Sequence, residues 1–381
     1  MKLRNFMYAT MIACAFASCS KDDVIEGGQE PVAKAGSITI SVKSKAQTKA
    51  LASDAENTTG TVALYLYKKT GTSAPFTYTL IDSHDLNNTT ETSWTIEELE
   101  AGTYTCFGYA NMSGATIADP TKPENVVVEI TGAISESAIP MSGFGEATLS
   151  GGGSAECIVN LIRNAARIDL VSVSLGMAYR DVDKYPTGTA YFQYKGVSVN
   201  NVPTSYKADH TMAVTEPMKY WGGYPTTAGF GIVTDVQKDF YVTAKTYDAI
   251  EQAFDKDQNT PDDETFVAIP SFTKVSYYVL PNSSSNKTTL LIAGAFSATS
   301  NPMSDSWYPI TVGLSDDDNT LTDADGNPIS GTGSIEANKI YEISAIVAGP
   351  GKGSTGGDKP KIIVKTNVLD WSKVKQTSVI K

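Results

Sequence analysis

The chain has 381 residues, a formal net charge of −12, only 19% charged side chains, 31 glycines and 19 tyrosines. A nucleic-acid surface needs clustered Lys and Arg, so this acidic balance argues against that class of partner. Long helical periodicities are nearly absent and β-branched residues recur in short runs, the profile of an all-β secreted protein with room for two domains.

Met1-Lys2-Leu3-Arg4 puts positive charge at the N-terminus, an apolar run follows from about Phe6 to Ala17, and Phe16-Ala17-Ser18-Cys19 closes it. That order predicts a lipoprotein signal peptide over residues 1–18, cleaved before a lipid-bearing Cys19. The run falls short of the ~20 apolar residues a membrane-spanning helix needs. Acyl chains on Cys19 would bury methylenes at ~0.8 kcal/mol each, and more than one chain makes the anchor stable. Ser20-Lys21-Asp22-Asp23 resembles the acidic signal that sends Bacteroidetes lipoproteins to the outer face of the outer membrane.

Residues 19–35, polar with Gly-Gly and Pro, read as a tether. Ser37 to Val42 then alternates, with Ile38, Ile40 and Val42 on one face, and predicts a half-buried strand. Lys43 to Lys49 carries three lysines and is expected to be exposed. Further strands are predicted over Thr61–Tyr67 (closed by a Lys-Lys-Thr-Gly-Thr turn), Phe76–Ile81, Ser93–Ile96, Thr103–Asn111, Val126–Ile130 and Ile139–Ser142. Gly151-Gly152-Gly153 breaks the chain, and Cys157 to Leu175 is one long β-like stretch interrupted by Arg163 and Arg167. A domain boundary is expected near residues 158–166, giving domains of 36–162 and 163–381.

In the second half, strands are predicted near Ala190–Tyr194, Phe230–Val233, Phe240–Lys245, Ser276–Leu280, Thr288–Ala293, Tyr308–Val312, Ile340–Val347 and Lys361–Leu369. Asp248 to Phe254 is the best candidate for a short helix, and Gly349 to Gly357 reads as a loop. Strands at this spacing, punctuated by Gly, Asn and Asp, suggest β-sandwiches.

Residues that carry chemistry are sparse. Cys14 leaves with the signal peptide and Cys19 takes the lipid, so Cys106 and Cys157 remain. An oxidising envelope permits a bridge between them. Their apolar strand contexts favour two unpaired core thiols. His84 and His210 lie far apart, and no zinc motif, nucleophile elbow or P-loop is present. The segment from Asp255 starts like a calcium loop but has Thr260 at position six and Phe266 at position twelve, where such a loop needs Gly and Glu. Asp316-Asp317-Asp318 and Asp323-Ala324-Asp325-Gly326 read as solvated turns, weak calcium sites being the alternative. Trp94, Trp221, Trp307 and Trp371 read as sandwich core rather than a sugar-stacking platform. No catalytic residue, cofactor or resident metal is expected.

Several blocks together resemble the Bacteroidales fimbrillins, the major subunits of type V pili. They are the lipobox, Ser37–Val42 leading to Thr48-Lys49-Ala50, Val62–Tyr67, Ala101–Asn111, Leu161-Ile162-Arg163-Asn164-Ala165-Ala166-Arg167-Ile168, and Asn338–Ile343 followed by Gly349-Pro350-Gly351 and Val368-Leu369-Asp370-Trp371. The resemblance implies two transthyretin-like β-sandwich domains in tandem, the first ending near the Arg-x-x-Ala-Arg strand. It further implies a lipid-anchored precursor whose strand 36–49 fills a slot in the first domain through Ile38, Ile40 and Val42. A Lys/Arg-specific surface protease would cut between Lys49 and Ala50, with Lys45 and Lys43 as fallback sites. A neighbouring pilin subunit would then fill the slot, the donor strand being Trp371, Val374, Val379 and Ile380 in the C-terminal tail. A tip or accessory adhesin, or a glycan-binding surface lipoprotein, is the alternative on the same fold.

Overall fold

The computed structural model describes residues 35–44, 55–57, 59–71, 73–87, 91, 93–112, 126–176, 187–208, 219–223, 235–243, 247–255, 266–283, 286–297, 303–352 and 362–371. The first sandwich is built from β1 (Gly36–Ser44), β2 (Thr61–Thr70), β3 (Thr77–Asn87), β4 (Ser93–Leu99), β5 (Gly102–Ala110), β6 (Val127–Glu129), β7 (Met141–Leu149) and β8 (Ser154–Arg163). Apart from β6, these strands follow one hydrogen-bonded path, β3-β2-β5-β7-β8-β1-β4. The path turns a corner between β7 and β8, which share only the pairs Met141–Arg163 and Ser142–Ile162. Two layers result, β3-β2-β5-β7 and β8-β1-β4, and alternate residues of each point into one core. Val62, Leu64 and Leu66 of β2 meet Tyr104 and Cys106 of β5, Ile38 and Ile40 of β1, and Cys157, Val159 and Leu161 of β8.

The corner depends on glycine. A Cβ at Gly143 would collide with the carbonyl of Asn160, and one at Gly145 with the carbonyl of Ile158. Both glycines stand at inward-facing positions of β7, so they also hide its alternation. This is why β7 extends to Leu149, well past the predicted Ser142.

The second sandwich contains β9 (Ala166–Gly176), β10 (Thr187–Pro203), β11 (Ser205–Lys207), β12 (Tyr220–Gly222), β13 (Asp235–Val236), β14 (Tyr241–Thr243), β15 (Ile250–Asp255) and β16 (Phe266–Ala268). It continues with β17 (Val275–Val279), β18 (Thr289–Ser297), β19 (Ser304–Thr311), β20 (Asn319–Thr322), β21 (Lys339–Val347) and β22 (Ile362–Asp370). One sheet runs β13-β12-β10-β18-β19, with β14 and β15 also on β10; the other runs β16-β9-β21-β22-β20, with β17 also on β9. Every residue of β18 is buried, which accounts for its unbroken apolar run. The protein is all-β, and its second core draws on both sheets, from Ile168 and Leu170 to Phe192, Ile292, Tyr308 and Ile343.

Two expectations need correction. The segment 248–254 is not a helix: β15 pairs residue by residue with β10, from Thr187–Asp255 to Phe192–Ile250. An available sheet edge outweighs the weak local helical preference. The Lys-Lys turn after β2 also begins later, because Lys68 and Lys69 stay in the strand and reach Glu100 and Glu146 at 2.6 Å each. The predicted strand Phe230–Val233 lies outside the described residues.

The long β-like stretch from Cys157 breaks at Asn164-Ala165, between β8 and β9. Here the two sandwiches meet. β6 pairs with β11, and a small core joins Tyr109, Val126 and Val128 to Tyr206, Ala208 and Leu280. A second joins Ile139 and Ala165 to Ile340 and Trp371. Trp221 and Trp371 are buried, while Trp94 and Trp307 are half-buried. Gly143→Ala is expected to lower stability by about 1–3 kcal/mol in urea unfolding, as overpacking does. Gly132→Ala, where a Cβ meets nothing within 4 Å, is expected to stay within about 0.5 kcal/mol of the parent.

Candidate functional site

The described part of the chain opens on its most consequential strand. β1 lies between two partners. It runs parallel to β8, from Ser37–Ser154 to Ser44–Leu161, and antiparallel to β4, with Ile38 opposite Ile96 and Ile40 opposite Trp94. Ile38 and Ile40 are fully buried in the first core, and Val42 packs at its margin. Burial of each isoleucine contributes about 1.5–3 kcal/mol. The opposite face is polar: the Thr39 and Thr95 hydroxyls meet at 3.0 Å, and Ser41 Oγ donates to Glu156 Oε1 at 3.2 Å. This is the alternation read from Ser37–Val42, placed in a sheet interior.

Entry to the slot is equally specific. Ser37 N donates to the Gly153 carbonyl at 3.0 Å, and a Cβ at Gly36 would stand 2.5 Å from that same oxygen. Gly36 thus admits the close crossing that sets the register of all that follows.

The walls of the slot are unequal. β8 retains its short pairing with β7 at Ile162 and Arg163. β4 ends the path, and its only ladder among the described residues is with β1. Beyond that ladder, Trp94 stacks on His84 of β3, with ring centroids 5.3 Å apart and planes at 22°. The ladder bulges between the Ile38–Ile96 and Gly36–Leu99 pairs, around Glu98, which has φ 61°, and Glu97 and Glu98 are exposed along this edge.

Cys157 forms part of the slot floor, directly opposite Ile40 in the β8–β1 register. Cys157 and Cys106 are both free and buried. Burial pushes the Cys157 thiol up to about 11. Cys106 is also raised well above the ordinary thiol range, by burial first and by its neighbour Cys157 second.

The remaining predicted site residues fall elsewhere. Lys43 is exposed at the end of β1, whereas Cys19, Lys45, Lys49, Ala50, Val374, Val379 and Ile380 lie outside the described residues. Trp371, grouped with the tail in the sequence reading, belongs to the junction core. The acidic turns are closed by their own side chains: Asp316 Oδ1 accepts from Asp318 N at 3.0 Å, and Asp323 Oδ1 from Asp325 N and Asn327 N at 2.9 Å each. Among the described residues no group of three or more His, Cys, Asp or Glu could hold a metal ion. Sequence reasoning missed β4 and Cys157 as parts of the slot, since their pairing with β1 is long-range and leaves no local pattern. Ile40→Ala is expected to cost about 2–5 kcal/mol in urea unfolding, and Thr39→Ala, on the polar face, less than about 1 kcal/mol.

No protein-family model matches the sequence, and no curated protein matches it. Solved structures do. A Parabacteroides distasonis protein assigned to cell adhesion superposes with a TM-score of 0.59 at 14% identity, covering 89% of this chain and 99% of that one. A fimbrilin from Porphyromonas gingivalis gives 0.58 at 15% identity, covering 90% and 99%. A Bacteroides eggerthii protein, also assigned to cell adhesion, gives 0.55 at 17% identity, covering 90% and 98%. Across 89–90% of its length, the chain has the fold of Bacteroidales fimbrilins and cell-adhesion proteins, as the resemblance in its sequence implied.

Proposed function

We propose that this chain is a structural, non-enzymatic pilin: a shaft subunit of a type V fimbria, delivered to the cell surface as a lipoprotein and assembled by protease-triggered donor-strand exchange. The observation that carries this reading is the position of β1 as the middle strand of β8-β1-β4, the sole ladder partner of β4 among the described residues. Removing a middle strand uncovers two rows of backbone N–H and C=O groups at once, together with the apolar floor under Ile38 and Ile40. Such a slot has one efficient remedy, another strand of the same alternation. A strand supplied by the next copy makes a head-to-tail contact, which propagates as an open fibre. The lysines that follow β1 give a trypsin-like protease its cutting point, with Lys49-Ala50 the preferred bond. Fold likeness to a fimbrilin and to adhesion proteins supports the same reading.

The two buried thiols offer a direct readout of slot opening. Burial favours the neutral thiol, so the folded chain keeps the Cys157 proton through neutral pH. The stability this contributes is full below the unfolded thiol pKa and fades as pH rises from there through about 11. A maleimide probe at pH 7.5 is expected to leave the intact chain unlabelled. It should label Cys157 once trypsin has cut behind Lys49 and β1 has left, and lose access again as high-mass ladders form on size exclusion. Cleavage that leaves a stable, unlabelled monomer would move the reading to a tip subunit or stand-alone adhesin.

Two chain variants test the other steps. Changing Lys43, Lys45 and Lys49 together to Ala is expected to give a folded monomer that forms no fibres. Deletion of residues 372–381 is expected to abolish polymerisation while leaving the unfolding free energy of the monomer within about 1 kcal/mol of the parent. Normal fibres from either variant would count against its step.

A further inference from the structure

At the junction of the two sandwiches lies a buried ionic cluster that the strand-exchange reading does not use. The short 3-10 turn Ala55–Asn57, a brief segment beyond Lys49, carries Glu56. Its side chain is only 1% exposed. Arg167 Nη1 donates to both Glu56 carboxylate oxygens, at 2.7 and 2.9 Å. The Tyr278 hydroxyl donates to Glu56 Oε1 at 2.8 Å. Arg163 Nη2 donates to the Glu56 backbone carbonyl at 3.3 Å.

The same two arginines hold the other end of the chain. Arg163 lies over the Trp371 ring at 4.7 Å from its centroid, and Arg167 at 5.6 Å. Tyr278 stacks on that ring at 5.9 Å and 21°. Trp371 closes β22, directly ahead of residues 372–381, and Trp371 N donates to the Asn338 carbonyl at 3.1 Å.

Charge explains why the parts cannot move independently. Arg167 has a second acid in buried Asp169, reached by Nε at 3.1 Å and Nη2 at 3.0 Å. Asp169 also takes Lys274 at 3.2 Å. Arg163, only 2% exposed, has Glu56 as the carboxylate that favours its charge; burial pushes its guanidinium down to about 10, and the nearby Arg167 pushes the same way. Withdrawing Glu56 removes the carboxylate that favours the Arg163 charge, while Asp169 is already engaged by Arg167 and Lys274. An uncompensated buried charge is among the costliest states a fold can hold. Arg163 would turn toward solvent and leave the Trp371 ring without its cation.

We propose that Glu56, Arg163, Arg167 and Trp371 form a two-ended electrostatic latch, coupling the turn that follows the first strand to the base of the last strand. Loosening either end raises the free energy of holding the other, and by linkage the effect is reciprocal. The coupling exists in the intact chain and does not depend on strand removal.

Hydrogen exchange of the full, uncut chain, read by mass spectrometry, tests it. Glu56→Gln is expected to speed exchange across Ile362–Trp371 about tenfold while Val62–Leu66 stays protected, the mark of local rather than global opening. The variant Glu56→Gln with Arg163→Met, which removes the stranded charge, is expected to return Ile362–Trp371 toward parental protection. Unchanged exchange there in Glu56→Gln, or no recovery in the double variant, would overturn the latch. Should Glu56→Gln fail to fold, Trp371→Phe reads the coupling in reverse: faster exchange across Ala55–Asn57 supports it, and parental exchange sinks it. A chain that passes these tests but never exchanges strands would retain its latch and lose only the fimbrial reading.

Discussion

A strand in a sheet interior has to pair both of its edges, and in the β8-β1-β4 layer that duty falls to β1. β8 and β4 do not touch one another as neighbours; each meets β1. The closure of the β8-β1-β4 layer, the protection of Cys157 and the placement of Ile38 and Ile40 all follow from that one shared partner. Folding therefore stores, at the edge of the chain nearest its N-terminus, a large part of the cohesion of a whole layer. The rest of the domain does not depend on it to the same degree. β3-β2-β5-β7 forms a continuous antiparallel layer with its own ladders.

Legibility in the sequence followed the range of the interactions. Ser37–Val42 announced both its strand and its buried face, because period-two alternation is a local signal that tertiary pairing only completes. Cys106 and Cys157 were readable as core thiols for the same reason, each sitting in an apolar run. What the sequence could not convey is which strands meet. Nothing local in Ser93–Leu99 says that it pairs with a segment more than fifty residues earlier. β15 carries no strong local preference, being an acidic, mixed-propensity stretch, and the free edge of β10 decides its conformation. β7 was cut short because glycine at Gly143 and Gly145 is demanded by the closeness of β8 and erases the very alternation a reader looks for.

The chemistry at the break between β8 and β9 left no local signal in the sequence. Arg163 and Arg167 interrupt an otherwise apolar stretch, a pattern that does not reveal which acids they meet. Glu56, in a polar segment of small residues, carried no signal that it would be buried beside them. Long-range ion pairs of this sort join parts of a chain that local periodicity treats as unrelated. They are also demanding: burying Glu56, Asp169 and two arginines is tolerable only because nearly every charge has a partner of opposite sign within hydrogen-bonding reach.

The acidic margin of β4 bears on how two copies of the chain can meet. An outermost strand is the natural place for two copies to zip side by side, and aggregation by that route makes ribbons and clumps. Here the edge carries exposed Glu97 and Glu98, and the left-handed bulge at Glu98 interrupts the straight run of donors and acceptors. Two such edges brought together would face each other charge against like charge. An edge of this kind disfavours side-by-side pairing of two copies through this layer.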